Sequence, residues 1–183
     1  MKIMVLDCEF NQPSKKCIQI GALVYDLSNA QCVDIFDTYV NPGEPLNPEI
    51  VELCGIHEHD VKNAPTIKQA FEELRWFHAK HKVFQNPIVW GSGVSNDSLA
   101  LWNEVGETYE ANFMGWRVLD AKTLYQSMVL LDGGSYAGGL EKSMKRLGLT
   151  FQGAKHNAVT DARNTFTIWY YLVKKMREGF LKK

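Results

Sequence analysis

The sequence predicts an α/β fold with a mixed five-stranded sheet, an antiparallel three-strand meander extended by parallel strands and flanked by helices. Three observations predict it. β-branched and aromatic residues are concentrated in three stretches before Asn41, and a short polar link joins the second to the third. Asn41-Pro-Gly-Glu-Pro-Leu-Asn-Pro48 then sets three prolines in eight residues, which no hydrogen-bonded ladder accepts. Beyond it, short apolar strands alternate with segments of helical periodicity.

The strands are expected at Lys2 to Phe10, Cys17 to Tyr25 and Cys32 to Val40, with Asp26-Leu-Ser-Asn-Ala30 as a hairpin turn. Pro48 opens a short helix that Gly55 ends. Thr66 can cap a longer helix through about Lys82, because Ile67, Phe71, Leu74 and His78 recur at helical spacing. Ile88-Val-Trp90 is a short strand, followed by a helix from about Asn96 to Val105 with Ser95 or Asn96 as its cap. Arg117-Val-Leu119 suggests a further strand, and helices follow over Ala121 to Leu131, Leu140 to Leu147 and Ala158 to about Glu178, the last capped by Gly179.

With 183 residues, 45% of them hydrophobic, the chain can bury a substantial core, and one domain over 1–183 is expected. A charged fraction of 22% and a net charge of −1 exclude a global attraction to polyanions, so any such attraction must be local. No apolar run approaches the roughly 20 residues that span a bilayer, and Asp7 breaks the first run too early for a signal peptide. A cytoplasmic protein with no membrane contact is expected. Cys8, Cys17, Cys32 and Cys54 form no CxxC pair and read as reduced structural thiols.

Several carboxylates stand where burial is expected. Asp7 and Glu9 lie two apart on the first strand and project from the same face as Ile3 and Val5. Two like charges side by side destabilise a strand unless a cation lies between them. On the last helix Asp161 is in phase with Ala158, Thr165, Ile168, Leu172 and Met176, and a carboxylate on a buried stripe needs a partner or a metal. Asp97 opens a helix after a Gly-rich turn, where sites form beyond the carboxyl ends of strands. Hard oxygen donors of this kind suit Mg²⁺ or Mn²⁺. His156 precedes the last helix and can reach into the same cleft, whereas His57, His59, His78 and His81 read as solvated or structural.

In this order and spacing, Asp7-Cys-Glu9, Asp97 and His156-x4-Asp161 resemble the DEDDh 3′-to-5′ exonucleases, the family of the proofreading ε-subunit, ribonuclease T and oligoribonuclease, built on the ribonuclease H-like fold. Gln19-Ile-Gly-Ala22, Leu53-Cys-Gly-Ile56 and Ser135-Tyr-Ala-Gly-Gly-Leu140 resemble further segments of that family. The chain departs from the family pattern at Gly93 and Asn96, where many members carry an Asn and an aromatic residue, and at Phe10-Asn-Gln-Pro13, where small residues are usual.

The resemblance implies a metal-dependent nuclease, a hydrolase that digests single-stranded DNA or RNA stepwise from the 3′ end to 5′ mononucleotides. It implies two divalent ions, Mg²⁺ or Mn²⁺, held by Asp7, Glu9, Asp97 and Asp161. Asp7 would bridge both ions, Glu9 and Asp161 would support one, and Asp97 would act on the other or through water. His156 would be the general base, and histidine titrates nearer neutral pH than any other side chain. Phe10, Asn11, Leu53, Cys54 and Ile56 are candidates to border the terminal nucleotide. Phe10 falls on the strand face opposite Asp7 and Glu9, so a core role is equally open to it. Lys142, Lys145, Arg146 and Lys155 could line the approach, or form a solvated helix face. Trp90, Trp102, Trp116, Trp169 and Tyr170 are assigned to core or interface, and Lys174, Lys175, Arg177, Lys182 and Lys183 to a solvated helix end. A catalytically silent nucleic-acid-binding module of the same fold is the alternative. A homodimer and a polymerase partner both remain open.

Overall fold

The structure, a computed structural model, describes residues 1–91, 97–106, 112–115, 117–134 and 138–180. Trp116, Lys182 and Lys183, the cap at Ser95 or Asn96, the departures at Gly93 and Asn96, and the Ser135-Tyr-Ala part of the glycine-rich link lie outside the described residues. The elements run β1 (Lys2–Phe10), β2 (Cys17–Asp26), β3 (Gln31–Tyr39), α1 (Pro48–Cys54), α2 (Glu58–Val61), α3 (Ile67–His81), β4 (Ile88–Val89), α4 (Asp97–Val105), β5 (Leu119–Asp120), α5 (Ala121–Leu131), α6 (Leu140–Arg146) and α7 (Ala158–Phe180). They form one mixed sheet in the order β3-β2-β1-β4-β5. The first three strands are antiparallel, and β4 and β5 extend the sheet in parallel from β1. This is the mixed five-stranded sheet that the sequence predicts.

The alternation of β1 sends its side chains into two separate cores. Met4, Leu6 and Cys8 pack with Phe71, Leu74 and Leu101 beneath α3 and α4. Ile3 and Val5 pack with Ala162, Phe166, Ile168 and Leu172 of α7 and with Tyr125 of α5. Asp7 and Glu9 continue the second face. A smaller cluster of Ile18, Leu46, Ile50, Ile56 and Val61 ties α1 and α2 to the mouth of the sheet.

The structure corrects the sequence reading at several boundaries. α2 was not anticipated; Asp60 Oδ2 accepts from the His57 N–H at 2.8 Å, which closes a single turn too short to show periodicity. The last strand is displaced to Leu119–Asp120, because Asp120 both pairs with Val89 and caps α5 by accepting from Lys122 and Thr123 at 2.9 and 3.1 Å. Gly179 lies inside α7 rather than capping it. Met176, on the predicted buried stripe, is 42% exposed because α7 runs past its contacts with the sheet. Thr66 caps α3 as its pattern predicts, with Gln69 returning the bond to the Thr66 N–H at 2.9 Å.

One contact fixes where α7 begins. A Cβ placed on Gly21 of β2 would lie 2.4 Å from the Ala158 carbonyl carbon and 2.5 Å from the Val159 nitrogen, closer than real side-chain atoms approach. The absent side chain is what lets the helix start rest on the strand. Gln19, two residues earlier and buried, accepts from the Ala158 N–H at 3.1 Å and donates to Asp37 at 2.9 Å. Gly21→Ala should therefore lower stability by about 1–3 kcal/mol, the usual cost of overpacking a closed contact. Urea unfolding checks this through its midpoint, and a variant as stable as the wild type would show that the contact yields freely.

Candidate active site

Residues opposite each other on paired strands share a face, and Asp7 pairs with Gly21 while Glu9 pairs with Gln19. The helix start seated on Gly21 and Gln19 is thereby brought over the two carboxylates. Asn157 caps α7, its Oδ1 accepting from the Thr160 N–H at 3.1 Å, and Asp161 follows on the first turn. His156, just before the cap, has a left-handed backbone with φ 56°, a conformation that costs an L-residue about 1–2 kcal/mol. Its N–H donates to Asp161 Oδ2 at 3.0 Å, a charge-assisted bond that holds the turn. Ligand atoms of Glu9, His156 and Asp161 all fall within 4.8 Å of one another.

Asp97, the first residue of α4, comes in from the other side of β1 and accepts from the Cys8 backbone. All four acids are perturbed in the same direction. Burial raises Asp7 well above the ordinary carboxylate range, and the charges of Asp97, Glu9 and Asp161 raise it further. Burial, then the charge of Glu9, pushes Asp97 up to about 8 against the bond from Cys8. Burial pushes Glu9 up to about 7, opposed by a hydrogen bond from Cys54 and reinforced by Asp161. Burial also raises Asp161, opposed by the His156 N–H. This donor set of four hard carboxylates beside an imidazole fits divalent cations, whose positive charge relieves the repulsion.

The other predicted residues separate into those that reach the site and those that do not. Cys54, the last residue of α1, donates its thiol to Glu9 Oε2 at 3.4 Å; burial and the charge of Glu9 push that thiol up to about 12, so it stays a donor. Leu53 beside it is exposed, whereas Ile56 is buried with Ile18 and Leu46 and faces no cleft. Phe10 packs against the α3 and α4 core, which is the core role left open for it. Asn11 is 2% exposed and its amide is spent on Glu44 and Pro45, at 2.8 and 3.1 Å, and on the Asn47 N–H at 2.8 Å, so it anchors the entry to α1. Lys142, Lys155, Phe151 and Leu140 join His156 and Asp161 around a cavity of about 250 Å³. Lys155 also pairs with Glu141 at 2.6 Å. Lys145 and Arg146 sit in the last turn of α6, away from that lining.

Sequence reasoning missed the seating roles of Gln19 and Gly21, the bond between Cys54 and Glu9, and Phe151 as a wall. The signal for the first was present: a buried amide and a glycine in a strand otherwise filled with large apolar residues.

The shifts set a pH dependence. Each acid binds its proton more tightly folded than unfolded, where its pKa is near 4, so stability is fully present below about pH 4 for these groups and is lost as pH rises through the folded values, to about 8 for Asp97. In chelator the melting temperature should fall between pH 6 and pH 9, and Asp7→Asn should raise it at pH 9. A flat profile, or an Asp7→Asn variant less stable than wild type at pH 9, contradicts the electrostatic reading.

The model of the exonuclease family that includes ribonuclease T matches residues 4–169. The PolC-type DNA polymerase III of Clostridium perfringens is 28% identical over 178 residues, 96% of this chain but 11% of the polymerase. The 3′-5′ exonuclease eri1 of Schizosaccharomyces pombe is 26% identical over 187 residues, 87% of this chain and 60% of that protein. The chain thus spans about a tenth of the first of these relatives and three fifths of the second. Among solved structures, the nuclease domain of 3′hExo, a DEDDh family member bound to rAMP, superposes with a TM-score of 0.78 at 16% identity, covering 95% of this chain and 92% of that one. The chain therefore belongs to the exonuclease family that this model describes, and it shares the fold of the 3′hExo nuclease domain.

Proposed function

We propose that the chain, as one catalytic domain over 1–183, hydrolyses single-stranded DNA or RNA stepwise from the 3′ end and releases 5′ mononucleotides. The observation that carries the proposal is the convergence of Glu9, His156 and Asp161 ligand atoms within 4.8 Å, beside Asp7 and Asp97. Asp7, Glu9, Asp97 and Asp161 would hold two divalent cations, Mg²⁺ or Mn²⁺. Bound there, such ions neutralise the phosphodiester and stabilise the attacking and leaving oxygens.

The chain's own side chains divide the remaining work. His156 lies on the rim of the cavity with Asp161, and its imidazole takes the proton of the attacking water, a role worth about 10²–10⁴ in rate. Asp161 fixes the backbone turn that presents His156. Cys54 holds the Glu9 carboxylate by one oxygen and leaves the other for a ligand. Phe151 and Leu140 supply apolar walls for a base or sugar, and Lys142 offers positive charge to the phosphates, while Glu141 in the same lining neutralises Lys155. The mononucleotide in the 3′hExo structure supports a site of this size for one nucleotide. Among the described residues no helix is long and apolar enough to cross a membrane; a cytoplasmic location, action beside a polymerase and homodimer formation are compatible with the same reading.

Matched 5′-labelled single-stranded DNA, RNA and dinucleotides, each with Mg²⁺, Mn²⁺ or chelator, test the proposal. It expects a ladder shortening by single nucleotides from a linear strand, none from a circular strand and none in chelator. His156→Ala should retain less than about a tenth of turnover, and Asp7→Ala or Asp161→Ala should abolish it while the circular dichroism spectrum is kept. A His156→Ala enzyme above that level would remove the histidine from the chemistry.

A further inference from the structure

The outer side of α7 carries a groove that the catalytic cluster does not use. Tyr25, Cys32, Leu149, Gln152, Arg163 and Tyr170 are among the residues lining a hollow of about 530 Å³ between α7 and the start of β3. A second hollow of about 210 Å³, lined by Leu27, Trp169, Tyr170, Val173, Lys174 and Arg177, shares Tyr170 and Lys174 with the first. The two therefore adjoin along the helix at Tyr170 and Lys174. Arg163, Lys174 and Arg177 are the charged residues of this lining, and no Asp or Glu is among the described residues that form it. In a chain of net charge −1, that segregation of sign is a local departure.

The aromatic content points the same way. Tyr25 stacks on Phe166 with ring centroids 3.5 Å apart, and Phe166 stacks on Tyr170 at 5.5 Å, so a rigid aromatic wall reaches the surface at the partly buried Tyr170. Cations beside the partly exposed rings of Trp169 and Tyr170 match a single strand of nucleic acid, whose phosphates and base faces need both and whose sequence need not matter. The loop that leads to His156 links the groove to the site, because Phe151 lines the catalytic cavity and its neighbour Gln152 lines the groove, whereas Arg163 lies on the flank of α7 turned about 200° from Asp161. From Asp161 to Arg177 the helix rises about 24 Å, room for about seven stacked nucleotides at ~3.4 Å each.

We propose that this groove is an exosite that holds the 5′ portion of a single-stranded substrate while its 3′ end occupies the catalytic cluster. The proposal rests on the exonuclease reading for its direction and on the groove's own charge and aromatic lining for its ligand. Lys174 and Arg177 are both exposed, so Lys174→Glu combined with Arg177→Glu should leave the fold intact.

With Mn²⁺, this double variant should raise KM for a 15-nucleotide strand about tenfold, leave kcat unchanged and leave dinucleotide hydrolysis at wild-type level. Fluorescence anisotropy of a labelled 15-nucleotide strand in chelator reads the groove without any hydrolysis; the variant should bind it about tenfold more weakly and with a shallower salt dependence. Unchanged KM and unchanged anisotropy overturn the exosite and leave the exonuclease standing. Weakened anisotropy with no hydrolysis by the wild type keeps the groove and removes the nuclease. Displacement of the strand by polyglutamate as readily as by unlabelled nucleic acid assigns the groove to an acidic protein partner and overturns the proposal.

Discussion

The contact between Gly21 and Ala158 is the constraint on which the rest of the structure depends. A helix normally rests on a sheet at side-chain distance; here its first turn comes down to the backbone of β2, and Gln19 converts that proximity into a hydrogen bond to the helix start. Because Gly21 and Gln19 are the cross-strand neighbours of Asp7 and Glu9, the same contact lowers Asp161 and His156 over the two carboxylates of β1. The sheet contributes rigidity and the helix contributes aim. The glycine's missing Cβ joins them.

That aim carries an electrostatic cost which the fold does not relieve by itself. Four acids raise one another's pKa values, and the hydrogen bonds from Cys8, Cys54 and the His156 N–H offset only part of the burial penalty. The left-handed backbone at His156 adds strain at the same place. Apolar side chains at these positions would pack better, so the cluster makes physical sense as a site completed by cations. The apolar layers on both faces of the sheet, and the anchoring of α1 through Asn11, supply the stability against which this is set.

Much of this was legible in the sequence, for identifiable reasons. The meander, the Thr66 cap and the α7 stripe express local periodicity and capping, which neighbours within four residues determine. Asp7, Glu9 and Asp161 stood out because each placed a charge where its surroundings predicted burial, and Asp97 and His156 because each stood at a helix start beside where a cleft was expected. What stayed hidden depends on distant pairs: Cys54 meets Glu9 from 45 positions away, and Asn11 meets Glu44 from 33. No pattern within one strand distinguishes Asn11 as an anchor from Asn11 as a substrate contact. Lys174 and Arg177 read as an ordinary solvated helix end until the fold set them beside Tyr170 and in line with Arg163.

The central claim is that Asp7, Glu9, Asp97 and Asp161 are held together to bind divalent cations. Titration of Mn²⁺ into the chelator-treated protein, with free Mn²⁺ followed by electron paramagnetic resonance, tests it without any assumption about substrate. The account predicts saturable binding by the wild type, weakened about tenfold or more by Asp97→Asn and by Asp161→Asn alike, although the two acids come from different helices. Wild-type protein that leaves Mn²⁺ free, or both variants binding as tightly as the wild type, would contradict it.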